Sequence, residues 1–208
     1  MLHFETVEPS TLSLLNKIIT IPELKNFSLV GGTALALKFG HRKSVDLDLF
    51  SQEKFEINDI TSLLEKNFGS AFRFERTNVS FALFCEIDHV KTDLVHYPHP
   101  IISPVEMEEG IRMYGNMDIA AMKINAILGR GAKKDFWDLA ELLTVYSLEE
   151  IIAFHKQKFP TQMLAISIPA ALTYFEDAEE SEDPVSLKGQ NWTGVKKYIQ
   201  HKVSEYLS

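Results

Sequence analysis

The sequence has a single cysteine, Cys85, inside the apolar run FALFC. No disulfide can form within the chain, which excludes a disulfide-stapled scaffold and predicts a buried, reduced thiol. Apolar runs are short. None approaches the ~18 consecutive apolar residues of a membrane-spanning helix, so no membrane part is expected. The opening MLHFETVEPS lacks a basic stretch followed by an apolar one, which predicts a cytoplasmic protein without a secretory signal. Positive charge is in the minority, 21 Lys plus Arg against 29 Asp plus Glu, for a net charge of −8. A uniformly basic, nucleic-acid-coating surface is thereby excluded, although a local basic patch is not. Two phosphate-binding signatures are also missing: without GxxxxGK[ST] or GxGxxG, a P-loop or a dinucleotide fold has no support.

What is present reads as an ordinary globular chain, 45% hydrophobic and 24% charged over 208 residues, enough for one large domain or a domain with an appendage. Residues 10–20 carry Leu12, Leu15, Ile18 and Ile19 at helical spacing. The run FSLV (27–30) predicts a buried strand that stops at Gly31-Gly32, followed by a short helix closed by Gly40. SVDLDLF (44–50) alternates with period two and predicts a strand, with Val45, Leu47 and Leu49 facing the core. A helix over 58–68, capped by Asn58 and closed by Gly69, comes next. FRFERT, VSFALFCEI and VKTDLVHY predict three further strands, the last two joined in a hairpin at Asp88-His89.

The proline-rich HPIISP then marks a break, after which the pattern turns helical almost to the end. Helices are expected over 117–129, 135–144, 161–175 and from Asn191 onward, with Ser147 and Glu150 forming a capping box for another. Met107, Met113, Met117 and Met122 are expected in the core. The acidic stretch 176–184 is expected as a solvated loop. The division is therefore an α/β part, 1–104, and a helical part, 105–208.

The chemistry concentrates in VGGTALALKFGHRKSVDLDLF (30–50). Asp46 and Asp48, two apart on a strand, send both carboxylates off one face, with Cα atoms roughly 7 Å apart. Carboxylates that close repel unless a cation lies between them, and Mg²⁺ suits such a pair because it combines one or two carboxylates with substrate phosphates. Gly31-Gly32 lets backbone N–H groups approach an anion at a helix N-terminus. Thr33 can cap that helix or turn its hydroxyl to a phosphate.

Hydrophobic-Gly-Gly, a thirteen-residue spacer, then Asp46-Leu47-Asp48-Leu49 resembles the signature of the nucleotidyltransferase fold, the polymerase-β-like superfamily. More narrowly, GGTALAL followed by GHRKSVDLDLF resembles the AbiEii/AbiGii toxin family of nucleotidyltransferases, found in abortive-infection and toxin–antitoxin systems. The family's Lys-x-x-Ala helix motif is matched by Lys123-Ile124-Asn125-Ala126, and its basic-Asp-x-x-Asp stretch by Lys134-Asp135-Phe136-Trp137-Asp138. The matches span about residues 27–143.

The resemblance implies a mixed β-sheet with flanking helices (α/β, or α+β), followed by a C-terminal helical region that completes the site. It implies transfer of a nucleoside monophosphate from an NTP to an acceptor hydroxyl, the acceptor being tRNA or another RNA, with a cognate antitoxin as partner. Asp46 and Asp48 would hold Mg²⁺ (or Mn²⁺), and Asp93 would complete the metal site or accept the attacking proton. Gly31, Gly32 and Thr33 would cradle the triphosphate. Lys123 would neutralise it from a rim position shared with Ile127 and Arg130. Arg42 and Ser44 would touch phosphate. Asp135 and Asp138 share a helix face, and one of them would hold Lys123 or help activate the acceptor, while Asp135 could equally cap its helix. Lys38, Lys43, Lys133 and Lys134, with Lys196, Lys197 and Lys202, could add charge to a basic cleft. A small-molecule, antibiotic-type nucleotidyltransferase and a non-catalytic binding relative are the alternatives.

Overall fold

The computed structural model describes residues 1–75 and 78–208. Arg76 and Thr77, the end of the expected FRFERT strand, lie outside the described residues. The elements in order are α1 (Pro9–Ile19), β1 (Ser28–Val30), α2 (Gly31–Phe39), β2 (Leu47–Ser51), α3 (Ile57–Phe68), β3 (Phe72–Phe74), β4 (Ala82–Ile87) and β5 (Val90–His96), then β6 (Glu106–Glu108) and β7 (Ile111–Met113). The helices α4 (Asn116–Gly129), α5 (Lys133–Leu142), α6 (Leu148–Lys158), α7 (Ile168–Thr173), α8 (Glu176–Glu179) and α9 (Trp192–Leu207) complete the chain. The strands form a seven-stranded mixed sheet in the order β3-β4-β5-β2-β1-β7-β6.

Local chemistry explains much of this. Three-residue β1 is fully buried, as a central strand should be. Asp88 and His89 both take positive φ, 50° and 64°, the two-residue turn whose twist matches that of the flanking strands. Ser147 and Glu150 cap each other at the start of α6. Leu47, Leu49, Leu83 and Leu94 fill one side of the sheet. Across the other runs a single row, Val30–Asp48–Asp93–Phe84, traversing β1, β2, β5 and β4.

Several expectations need correction. Val45 is 55% exposed, because β2 begins only at Leu47 and alternation does not reach back to it. The chain beyond 104 is not helical from the outset: β6 and β7 form a hairpin, and β7 pairs with β1 in parallel through Leu29 and Met113. Met113 is buried there, whereas Met107 on edge strand β6 is 60% exposed. The helix expected over 161–175 shrinks to α7, since Pro169 cannot donate within a helix and so fixes its first turn, with Ser167 as cap. The acidic stretch 176–184 is tied down, Glu179 accepting from the Trp192 indole at 3.0 Å and Asp183 pairing with Lys133 at 2.8 Å.

Candidate active site

Two chain reversals build the site. Gly31, at φ +69°, turns β1 directly into α2, whose N-terminus no side chain caps. The loop His41–Val45 then returns the chain antiparallel to β1. At Gly31 a Cβ would stand 2.5 Å from Asp48 Oδ2, and at Gly32 one would run into the Arg42 guanidinium. Both glycines are therefore required by close approach, and Gly31 by its positive φ as well. Gly31→Ala should displace Asp48 and lower activity by about 10²-fold, the loss expected for a misplacement near 1 Å. Turnover of the purified variant at wild-type levels would show that Asp48 does not need its present position.

The hydroxyl of Thr33 is fully committed. It donates to the carbonyl of Asp46 and accepts from Ser44 Oγ at 2.8 Å. Thr33 and Ser44 are buried and fix the backbone that carries the first aspartate. Asp46 itself leans toward Lys134, 3.6 Å away, and Asp93 toward Lys91, 3.4 Å away. Each outer carboxylate thus has a lysine beside it. Consistent with this, among the described residues no group of three or more His, Cys, Asp or Glu side chains is gathered tightly enough to hold a metal ion unaided.

The donor set nonetheless suits a hard divalent cation completed by substrate oxygens. It is all carboxylate, and Asp93 Oδ1 is buried with no hydrogen-bond partner. Burial pushes the Asp48 carboxyl above the usual range, and the charges of Asp93 and Asp46 add to the shift. Burial likewise raises Asp93, with Asp46 contributing and Lys91 opposing. A cation among them would relieve all three effects.

Behind this row lies a buried ion network. Lys123 on α4 is not at a rim, as the helical wheel suggests. Its side chain is 7% exposed and holds Asp138 at 2.7 Å and Asp135 at 3.1 Å, because α2, α5, α6 and α7 surround α4. Asp138, with no exposed side-chain surface, also takes Arg42 Nε at 2.6 Å, Arg42 Nη2 at 2.9 Å and His41 Nε2 at 2.8 Å. Arg130 grips Asp135 through Nε and Nη2 at 2.9 and 3.1 Å while its side chain stays 61% exposed. Asp135 therefore does not cap its helix; both aspartates hold Lys123.

Asp138 has no exposed side-chain surface and is enclosed by Arg42, Lys123 and His41. Arg42, expected on phosphate, spends Nε and Nη2 on Asp138 and Nη1 on the Lys43 carbonyl. The Arg42 and Lys123 cations hold the Asp138 carboxyl well below its usual range against the cost of burial. Lys123 and Arg130 do the same, more weakly, for Asp135. His41, whose sequence signal is its place in GHRKSVDLDLF beside Arg42, joins this network through Asp138.

Two cavities meet at Asp48, Lys123 and Arg130. The smaller, about 200 Å³, is lined by Gly32, Thr33 and Ser44 with Arg42, Lys43 and Lys134. Of the charge expected to converge, Lys38 turns away to the Tyr114 carbonyl and Glu106, and Lys196 and Lys202 pair on the surface with Glu179 and Glu205. The larger cavity, about 750 Å³, has an aromatic lining of Phe50, Phe81, Phe84, Tyr97 and His99. Its far wall is pinned by a second buried ion pair, which the sequence does not announce. Lys158 Nζ bonds Asp118 Oδ1 at 2.7 Å and the Pro100 carbonyl at 2.9 Å, while Asp118 accepts from the amides of Ile102 and Ser103. Tyr97 and His99 pack at a tilt, and His99 meets Phe159 edge-on. Cys85 on β4 faces away from the cavity, free and buried as expected, and burial pushes its thiol up to about 12.

Such a carboxylate row beside a glycine-turned helix N-terminus, on a mixed sheet of this order, defines a nucleotidyltransferase. Solved structures share the fold. A candidate nucleotidyltransferase from Helicobacter pylori superposes with a TM-score of 0.58 at 17% identity, covering 97% of this chain and 99% of that one. MenT4, a nucleotidyltransferase toxin from Mycobacterium tuberculosis H37Rv, does so with a TM-score of 0.56 at 14% identity, over 86% of this chain and 76% of that one. The model of the family described as nucleotidyl transferase AbiEii toxin, Type IV TA system, matches residues 13–197, and the chain belongs to that family. An uncharacterized protein of Aquifex aeolicus (strain VF5) is 33% identical over 201 residues, 93% of this chain and 94% of that protein. Among the described residues no helix is long and apolar enough to cross a membrane.

Proposed function

We propose that this nucleotidyltransferase is a Mg²⁺-dependent cytoplasmic enzyme that adds a nucleoside monophosphate to the end of an RNA, tRNA among the candidates, under the control of a cognate antitoxin. The observation that carries the reading is the pair of cavities joined at Asp48. One is small and cationic, matched to a triphosphate tail. The other is large and aromatic, matched to nucleosides.

Asp46 and Asp48 would hold the divalent ion (Mn²⁺ being the alternative), with Asp93 the third oxygen donor or the proton acceptor. When bound, the ion supplies charge neutralisation for the phosphoryl group in flight. The rest falls to the chain. Gly31 and Gly32 admit the phosphates to the uncapped N-terminus of α2, where backbone N–H groups and the helix dipole favour an anion. Lys123, fixed by two aspartates, and Arg130, held by Asp135 but exposed at the lip, neutralise the tail. Lys134 is placed to exchange Asp46 for phosphate. The acceptor oxygen attacks the α-phosphorus, pyrophosphate leaves, and the hydroxyl proton passes to Asp93 Oδ1, whose raised pKa makes it a better base than an ordinary carboxylate.

The test is incubation with each α-labelled NTP, MgCl₂ and total RNA. Label should enter RNA with the wild type, at one preferred base, and vanish with Asp46→Asn or with chelator. No label in RNA despite Mg²⁺-dependent NTP binding would transfer the reading to a small-molecule acceptor. Absence of that binding would favour a non-catalytic relative.

A further inference from the structure

Resting on the polynucleotide reading above, we infer that Phe84, flanked by Phe81, is the platform on which the terminal base of a single-stranded acceptor stacks, and that it sets the acceptor's register on Asp93. The observation is positional. On β4, Leu83, Cys85 and Ile87 are buried while Phe84 and Glu86 point the other way. That outward face of an antiparallel strand ordinarily carries polar residues. Phe84 instead leaves 39% of its surface exposed, and Phe81, just before β4, leaves 54%.

Phe84 is the cross-strand partner of Asp93 on β5, so it and the proposed proton acceptor stand side by side on one face, within the ~5 Å of directly opposed residues. Both line the large cavity. A hydroxyl delivered to Asp93 Oδ1 must bring its own nucleoside past the Phe84 ring.

Charge at the same lip fits a polynucleotide. Lys91, two residues before Asp93 and so on the same face, is 63% exposed. Glu86, opposite it, is turned to His89 at 3.4 Å. Across the cavity stands the exposed guanidinium of Arg130. Aromatic faces interleaved with cations are the recurring means of holding single strands without reading their sequence, because every base has a π-face. A buried phenylalanine would serve packing alone. This one leaves 39% of its surface exposed and is the cross-strand partner of the reacting carboxylate.

The experiment combines Phe84→Ala with removal of the base it would meet. Acceptor KM is measured with a single-stranded RNA oligonucleotide ending in a normal 3′ nucleotide or in an abasic one, and anisotropy of the fluorescein-labelled oligonucleotides gives Kd directly. Phe84→Ala should raise KM and Kd for the normal oligonucleotide roughly 5- to 150-fold, leave NTP affinity within about twofold, and be rescued by Phe84→Tyr. The abasic oligonucleotide should bind wild type as weakly as the variant, with no further loss on combining the two. Equal losses that add, or a loss in NTP affinity instead, would overturn the assignment while leaving RNA transfer intact. Wild type that neither binds nor labels RNA would overturn the acceptor reading, and this inference with it.

Discussion

Asp48→Asn should silence nucleotidyl transfer by roughly three orders of magnitude, as loss of a central electrostatic group in a reacting site does, yet leave the protein as stable as before or more so. The stability half follows from the sign of its titration. Burial raises the folded-state pKa of Asp48. The stability this group contributes is full below the ordinary carboxylate value and is lost as pH rises through the raised one, so at neutral pH its ionised form weakens the fold. The amide keeps the shape and removes the charge. Thermal melts at pH 7 should place the variant at or above wild type. MgCl₂ should raise the wild-type midpoint more than an equal ionic strength of NaCl does, and should not do so for Asp48→Asn. A variant that melts well below wild type would mean that Asp48 is structural.

Asp138→Ala should do the reverse and act mainly on the fold. Its carboxylate is enclosed by Lys123, Arg42 and His41, and its removal strands two buried cations. The expected cost is about 3–5 kcal/mol, which for a chain of this size lowers the midpoint by roughly 6–20 °C. Activity should fall as a consequence, since Lys123 loses its nearer anchor. Here the titration runs in the opposite sense. Asp138 and Asp135 are held below the usual range, so their stabilisation is present above the ordinary carboxylate value and is lost as pH falls from about 5 downward. Stability measured from pH 7 toward acid should drop less steeply in Asp138→Ala than in wild type. Equal slopes would remove the network from the acid response.

The sequence discloses the part of the site whose chemistry is local. Asp46 and Asp48 lie two residues apart, Gly31 and Gly32 follow a short apolar strand, and both features are periodicities that a single segment displays. Lys123, Asp135 and Asp138 were reached only through resemblance, because the helix wheel places Lys123 beside a stripe of Ala121 and Ile124 without revealing that helices enclose α4 on several sides. Burial of charge is a tertiary fact. The commitment of Arg42 to Asp138 was hidden for the same reason, the two being 96 residues apart.

The hairpin 105–113 is not legible in the sequence because β6 is only three residues, Glu-Met-Glu, on an edge, too short for its alternation to count and with its one apolar residue, Met107, exposed. Its one signal is Glu109-Gly110, both at positive φ. The aromatic cavity was invisible as a unit, since Phe50, Phe84 and His99 come from two strands and a loop and only the sheet register brings them together.

That hairpin has a further consequence for how the molecule comes into being. β1, which delivers Gly31 to the site, has one neighbour at residues 47–51 and the other at 111–113. The helix carrying Lys123 begins only after the second neighbour is in place, and the two aspartates that hold it arrive later still. A nascent or clipped chain ending near residue 104 owns the carboxylate row and the glycine turn, but β1 is left as an edge strand paired only with β2, and Lys123 and its two aspartates are absent. The parts that surround Asp48 are thus contributed in stages, Lys123 by α4 and the aspartates that hold it by α5, both far downstream of the carboxylates.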